Sequence, residues 1–141
     1  MIRASRLSDV DRILSIWLEA SILAHYFIEK SFWEARVAGM RDMYLPTAET
    51  YIFENEGRIK GFVSLVGDTI AALFVSPNDQ GTGIGTQLLN KAKTIRWSLD
   101  LTVYKENHKS IAFYKHFGFT IEREQIDEHT GHPEMVMTFN H

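Results

Sequence analysis

The spacing of apolar positions changes midway along the 141-residue chain, and the change separates helices from strands. Met1–Ala4 reads as a short first strand. Ser8 is placed to cap a helix, with Asp9 and Asp11 in its first turn, where the helix dipole favours negative charge. Ile13, Ile16, Trp17 and Ala20 follow at helical spacing and form one apolar stripe. A second helix is expected over Ser31–Tyr44, stopping before Pro46. Alternation then takes over: "TYIFENEGRIKGFVSLVG" predicts two strands around a turn at Asn55–Arg58. "TIAALFVSP" is apolar almost throughout, which predicts a strand in the middle of a sheet. A glycine-rich loop and a helix from about Gly83 to Ile95 come next, with Ile84, Leu88, Ala92 and Ile95 facing inward. "LDLTVY" reads as a strand, "HKSIAFYKHFG" as a short helix closed by Gly118, and the C-terminal stretch as a hairpin turning around Thr130–Pro133. Helices and strands thus mix in an α/β (α+β) arrangement, and no linker or repeat divides residues 1–141.

Composition narrows the function classes. The chain is 45% hydrophobic and 23% charged, as expected of a soluble globular protein, and its net charge is −3. An acidic balance argues against a broad nucleic-acid surface, which needs a basic face. There is no cysteine, so a disulfide framework, a thiolate metal site and a cysteine acyl-enzyme are excluded. No apolar run approaches the ~20 residues of a membrane helix, and the N-terminus lacks a signal-peptide pattern. The expected location is the cytoplasm, with no membrane partner and no metal.

The chemistry concentrates in "SPNDQGTGIGTQLL", residues 76–89. A strand, a glycine-rich loop and a helix start together make an anion site, with unpaired amides pointing outward and a favourable dipole. A phosphate loop of the Gly-Lys-Ser/Thr type fails, because Gly85 is followed by Thr86 and Gln87. A dinucleotide fingerprint also fails: counting from Gly81 its last position is Thr86, and from Gly83 it is Leu88. What remains is Gln80-x-x-Gly83-x-Gly85 directly after a strand. Downstream, "NHKSIAFYKHFGF" carries Asn107, Ser110, Ala112, Phe113, Tyr114, Gly118 and Phe119 in order.

These two motifs, in this order and each after a strand, resemble the acyl-CoA loop and the following helix of the GNAT superfamily of N-acetyltransferases. "HYFI" at 25–28 resembles a segment of its small stand-alone bacterial members. The resemblance runs along the whole chain. It implies a single GNAT domain with a mixed, mostly antiparallel sheet of six to seven strands and about four helices. It also implies transfer of an acetyl group from acetyl-CoA directly to a primary amine, which could belong to a small molecule, a peptide N-terminus or a protein lysine. A non-catalytic acyl-CoA-binding module is the competing class. Monomer and homodimer are both compatible.

The resemblance also implies residue roles. Amides of Gly81, Thr82, Gly83, Ile84, Gly85 and Thr86 would hold the pyrophosphate, with Gln80 beside them or merely solvated. The backbone of Leu73, Phe74 and Val75 would pair with the pantetheine arm like an added strand, where this strand splays from its neighbour. Asn107 would bind the same arm, or simply cap the helix that follows. Tyr114 would protonate the departing thiolate, or else be a core aromatic. The acceptor site points to His25, Tyr26 and Phe27, with Trp33 nearby. Asp68, Glu54 and His25 are weighed as a base against a water relay that needs no side-chain base, and none is assigned.

Overall fold

The computed structural model describes Met1–His141. Seven strands form one sheet in the order β1-β2-β3-β4-β5-β7-β6: β1 (Ile2–Ala4), β2 (Glu49–Asn55), β3 (Arg58–Val66), β4 (Thr69–Val75), β5 (Ser98–Tyr104), β6 (Thr120–Ile126) and β7 (Pro133–Asn140). Five neighbouring pairs are antiparallel and only β4–β5 is parallel. The apolar strand lies fourth of seven, as its composition predicts. Helix α1 (Val10–Ala24) covers one face, packing Ile13, Ile16 and Trp17 on Ile52, Phe62 and Ala72. The helices that follow β4 and β5, labelled below, cover the other face, where Leu88, Leu89 and Tyr114 meet Val63, Leu65, Leu101 and Met137.

Two local expectations change. Ser8 does not cap α1. A 3-10 turn over Leu7–Asp9 precedes the helix, and the Asp9 carboxylate accepts from the Arg6 N–H at 2.8 Å. Asp9 is buried and also bonds Arg3 at 2.8 Å, while Arg3 reaches Glu54 at 2.9 Å, tying β1 and β2 to the start of α1. The second predicted helix is broken into α2 (Lys30–Glu34), α3 (Val37–Gly39), a π turn over Met40–Tyr44 and a 3-10 turn over Leu45–Thr47. Pro46 does not stop the helical backbone. It sits in the first turn of the last segment, where a missing N–H costs nothing.

The remaining helices are α4 (Ile84–Ile95) and α5 (His108–His116). Helix α4 lies close on β3 because Gly61 has no side chain: a Cβ there would meet the Phe74 carbonyl oxygen at 3.0 Å and Ile84 and Leu88 at 3.1 Å.

Candidate active site

A bulge in β4 sets up the site. Leu65 pairs with Ile70 but Ser64 pairs with Ala72, so Ala71 is an extra residue on β4. The insertion reverses the alternation: Ile70, Leu73 and Val75 face α4, while Ala72 and Phe74 face α1. Beyond the bulge, the Ser76 N–H donates to the Lys60 carbonyl of β3 at 2.8 Å. Counting back in twos, Leu73 and Val75 turn their N–H and C=O groups away from β3, towards β5. There they find no strand, because β4 and β5 pair only at Thr69–Asp100. Thr69 also donates its hydroxyl to the Asp100 carboxylate, which closes the narrow end of the V between the strands.

The open end of that V is a cleft of about 910 Å³. Leu73, Phe74 and Val75 line it, with Gln80, Gly81, Gly83, Ile84, Gly85 and Thr86 on one side and Asn107, Phe113 and Tyr114 on the other. Thr82 is the one predicted cofactor residue that does not reach it; its hydroxyl turns back to the Asp79 carbonyl at 2.6 Å. Gln80 is a brace rather than a free loop side chain, donating to the Val75 carbonyl at 3.2 Å. The glycines do different work. Gly81 and Gly83 adopt φ of +78° and +88°, and a Cβ at either would point into open space. Gly83 is the N-cap of α4 and has no side chain to cap it, so the first-turn amides stay unpaired towards the cleft. Amides, dipole and open space fit a diphosphate. No basic side chain lies between Gln80 and Thr86; the one lysine on the cleft wall is Lys109, beside His108.

Asn107 takes both roles weighed for it as far as position goes. Its Oδ1 caps α5 by accepting from the Ser110 N–H at 3.2 Å, and its side chain still lines the cleft. Tyr114 packs its ring against Phe113 and Phe119. Its hydroxyl makes no hydrogen bond within the protein, and burial raises its pKa well above the ordinary phenol value, so it is held protonated at the cleft wall.

The predicted acceptor residues separate. His25 is buried, stacks on Trp33 at 4.9 Å and lines neither cavity. Burial lowers its pKa to about 4, so it is neutral at physiological pH. Its Nδ1, Ser21 Oγ and Trp33 Nε1 are all buried without a partner. Phe27 packs on His25, Tyr104 and His132 and also lines neither cavity. Tyr26 is 82% exposed and lies on the large cleft instead. Of the candidate bases, Glu54 is paired with Arg3 and Asp68 is an exposed partner of Arg96.

A second cavity, of about 340 Å³, opens on the α1 face of the sheet. Phe32, Trp33, Met40, Leu45 and Val66 make it mostly apolar, and it reaches β4 at Ala71 and Ala72, the residues just before those lining the cleft. Arg36, Tyr104, Asp127 and His129 bring polarity to its wall. Partial burial opposes the charge of Asp127, but hydrogen bonds from Tyr104, the His129 N–H and Thr130 outweigh it and hold the carboxyl below the usual range. Nothing in the sequence marked these four residues, because they come from three separate segments.

The family model of the acetyltransferase (GNAT) domain matches residues 46–121. The peptidyl-lysine N-acetyltransferase YiaC of Escherichia coli is 34% identical over 140 residues, covering 99% of this chain and 96% of that protein. The peptidyl-lysine N-acetyltransferase YjaB of Salmonella typhimurium is 29% identical, covering 90% and 88%. Among solved structures, apo YjaB from Escherichia coli superposes with a TM-score of 0.86 at 26% identity, covering 99% and 96%. The PaiA N-acetyltransferase of Thermoplasma acidophilum, solved with coenzyme A, shares the fold with a TM-score of 0.84 at 16% identity over 100% and 98%. With its splayed β4, its uncapped glycine turn and these relatives, the chain belongs to the GNAT family of acetyl-CoA-dependent N-acetyltransferases.

Proposed function

We propose that this enzyme acetylates the side-chain amine of a lysine in a peptide or protein, with the acyl donor in the large cleft and the lysine in the smaller cavity. The observation that carries this reading is the change of wall along β4: Ala71 and Ala72 line one cavity and Leu73 to Val75 the other. Two substrates held in these neighbouring cavities meet at the bulge. The apolar cavity suits the methylene stem of a lysine, and Asp127 offers negative charge to draw in an ammonium. The names of the YiaC and YjaB relatives support the same acceptor class.

The geometry supports the following residue roles. Uncapped amides of the α4 start hold the pyrophosphate, and Leu73 and Val75 pair with the pantetheine arm. A β4 amide facing the gap, with Leu73 best placed, receives the negative charge that builds on the carbonyl oxygen as the amine nitrogen bonds to the carbonyl carbon. Tyr114 gives its proton to the sulfur as the carbon–sulfur bond breaks, and the amine loses its proton to water in the open cavity. Direct transfer is consistent with the absence of cysteine. The catalytic unit is a single domain over residues 1–141, in which the cleft draws its walls from α1, β4, α4 and α5.

Thiol release and mass spectrometry test this with acetyl-CoA and three acceptor sets: N-terminally blocked lysine peptides, lysine-free peptides with a free N-terminus, and small polyamines. Acetylation of the blocked lysine peptides is expected. Acetylation confined to either of the other sets overturns the acceptor assignment.

A further inference from the structure

We infer that Arg36 selects among lysine acceptors by favouring those with a carboxylate beside the reactive amine, supplied in a peptide by a neighbouring Asp or Glu. The inference rests on the reading of the smaller cavity as the lysine site. Arg36 stands on the cavity wall, on the segment between α2 and α3. Its guanidinium lies over the Phe32 ring at 4.0 Å, and Phe32 is edge-on to Trp33 at 5.0 Å. Both aromatic rings line the same cavity, so the cation, although exposed to solvent, rests against the wall.

That cation is unspent. Ion pairs in the molecule engage Arg3, Arg41, Lys60, Arg96, Lys105 and Arg123, but not Arg36. Nor does its guanidinium donate a hydrogen bond to any protein oxygen. The carboxylate sharing the cavity, Asp127, already accepts from Tyr104, the His129 N–H and Thr130, so it does not depend on Arg36 for partners. The cavity therefore holds one satisfied anion and one unsatisfied cation with a planar, five-donor fork. A carboxylate is the group that such a fork matches in both charge and shape. An acceptor that brings an ammonium towards β4 and a carboxylate towards Arg36 uses both charges.

The test compares C-terminally amidated, N-terminally blocked lysine peptides that differ only in flanking residues: acidic, uncharged or basic. In the wild type the acidic-flanked peptide is expected to exceed the uncharged one by about fivefold in kcat/KM at low salt, mainly through KM. The advantage shrinks as salt rises. Arg36→Gln removes the preference, and Arg36→Glu turns it towards basic flanks. Thermal shift with CoA stays at the wild-type value in both variants, because Arg36 is not on the large cleft. An unchanged peptide ranking in all three proteins overturns the inference and leaves lysine acetylation standing. If none of the peptides is acetylated while other amines are, the acceptor reading falls and this inference falls with it.

Discussion

Tyr114 has a ring that belongs to the core and a hydroxyl that bonds to nothing in the protein. Removing that hydroxyl therefore removes no internal hydrogen bond, and Tyr114→Phe is expected to melt at or slightly above the wild-type temperature. If the hydroxyl is the acid, turnover falls by roughly 10²–10⁴-fold while acetyl-CoA affinity holds. Single-turnover acetylation at the wild-type rate by the folded variant reduces Tyr114 to packing. His25 carries a different signal. Its unfolded pKa near 6.5 drops to about 4 in the fold because burial disfavours the charged ring. Between these values the unfolded chain binds more protons, so stability is complete above pH 6.5 and is lost as pH falls towards 4. The loss amounts to about 3 kcal/mol. His25→Leu should flatten this limb of the urea-melt profile between pH 7.5 and 4.5; an unchanged limb assigns the acid sensitivity to other groups. The sequence showed His25 as a histidine among aromatics, and only its placement shows that it supports the site from behind instead of lining it.

Among the elements, the β4–loop–α4 unit separates what a glycine does for the chain from what it does for a ligand. Gly83 is required by its own backbone at φ +88°, so Gly83→Val strains the turn as well as blocking the anion site. Gly85 is not: a Cβ there meets Phe113 at 3.7 Å and Val75 at 3.8 Å, which are ordinary contacts. Gly85→Ala should therefore fold as well as the wild type, gaining up to about 1 kcal/mol from helix propensity. It should nevertheless weaken CoA binding, and Gly85→Val should abolish it. Wild-type CoA affinity in the folded Gly85→Val protein, read by calorimetry, shows that the residue serves only the helix. Gly61→Ala is the structural counterpart, expected to cost about 1–3 kcal/mol in urea melts because α4 must move off β3. The α4 stripe, the Asn55–Arg58 hairpin and the α5 boundary were all legible, since each is coded by neighbours in sequence. The break of the second helix was not. Its apolar residues Phe32, Trp33, Met40 and Leu45 serve a cavity as well as a core, and that demand overrides a regular helical period.

For the molecule as a whole, ligand specificity reads out through stability. Acetyl-CoA or CoA at ~100 times its dissociation constant should stabilise the fold by about 2.7 kcal/mol, while NAD and ATP do much less. Equal thermal shifts from NAD and acetyl-CoA contradict the cleft assignment. Asp100 accepts from Thr69 at the closed end of the V. That contact helps bring β4 and β5 together at one end and leaves the other end free to admit a thioester.

The amino-acid pattern by itself determined the class of the fold, the glycine turn before α4 and the start of α5. All are short-range features, set by backbone propensity and apolar spacing within a dozen or so residues. Tertiary structure decided the rest. The bulge at Ala71 flips the phase of β4, and the smaller cavity gathers Arg36, Tyr104 and the Asp127–His129 turn from three separate segments. Whether a charge there is satisfied or left free depends on distances across the sheet. No local period carries such distances; they exist only once the helices and the last hairpin have packed around β4.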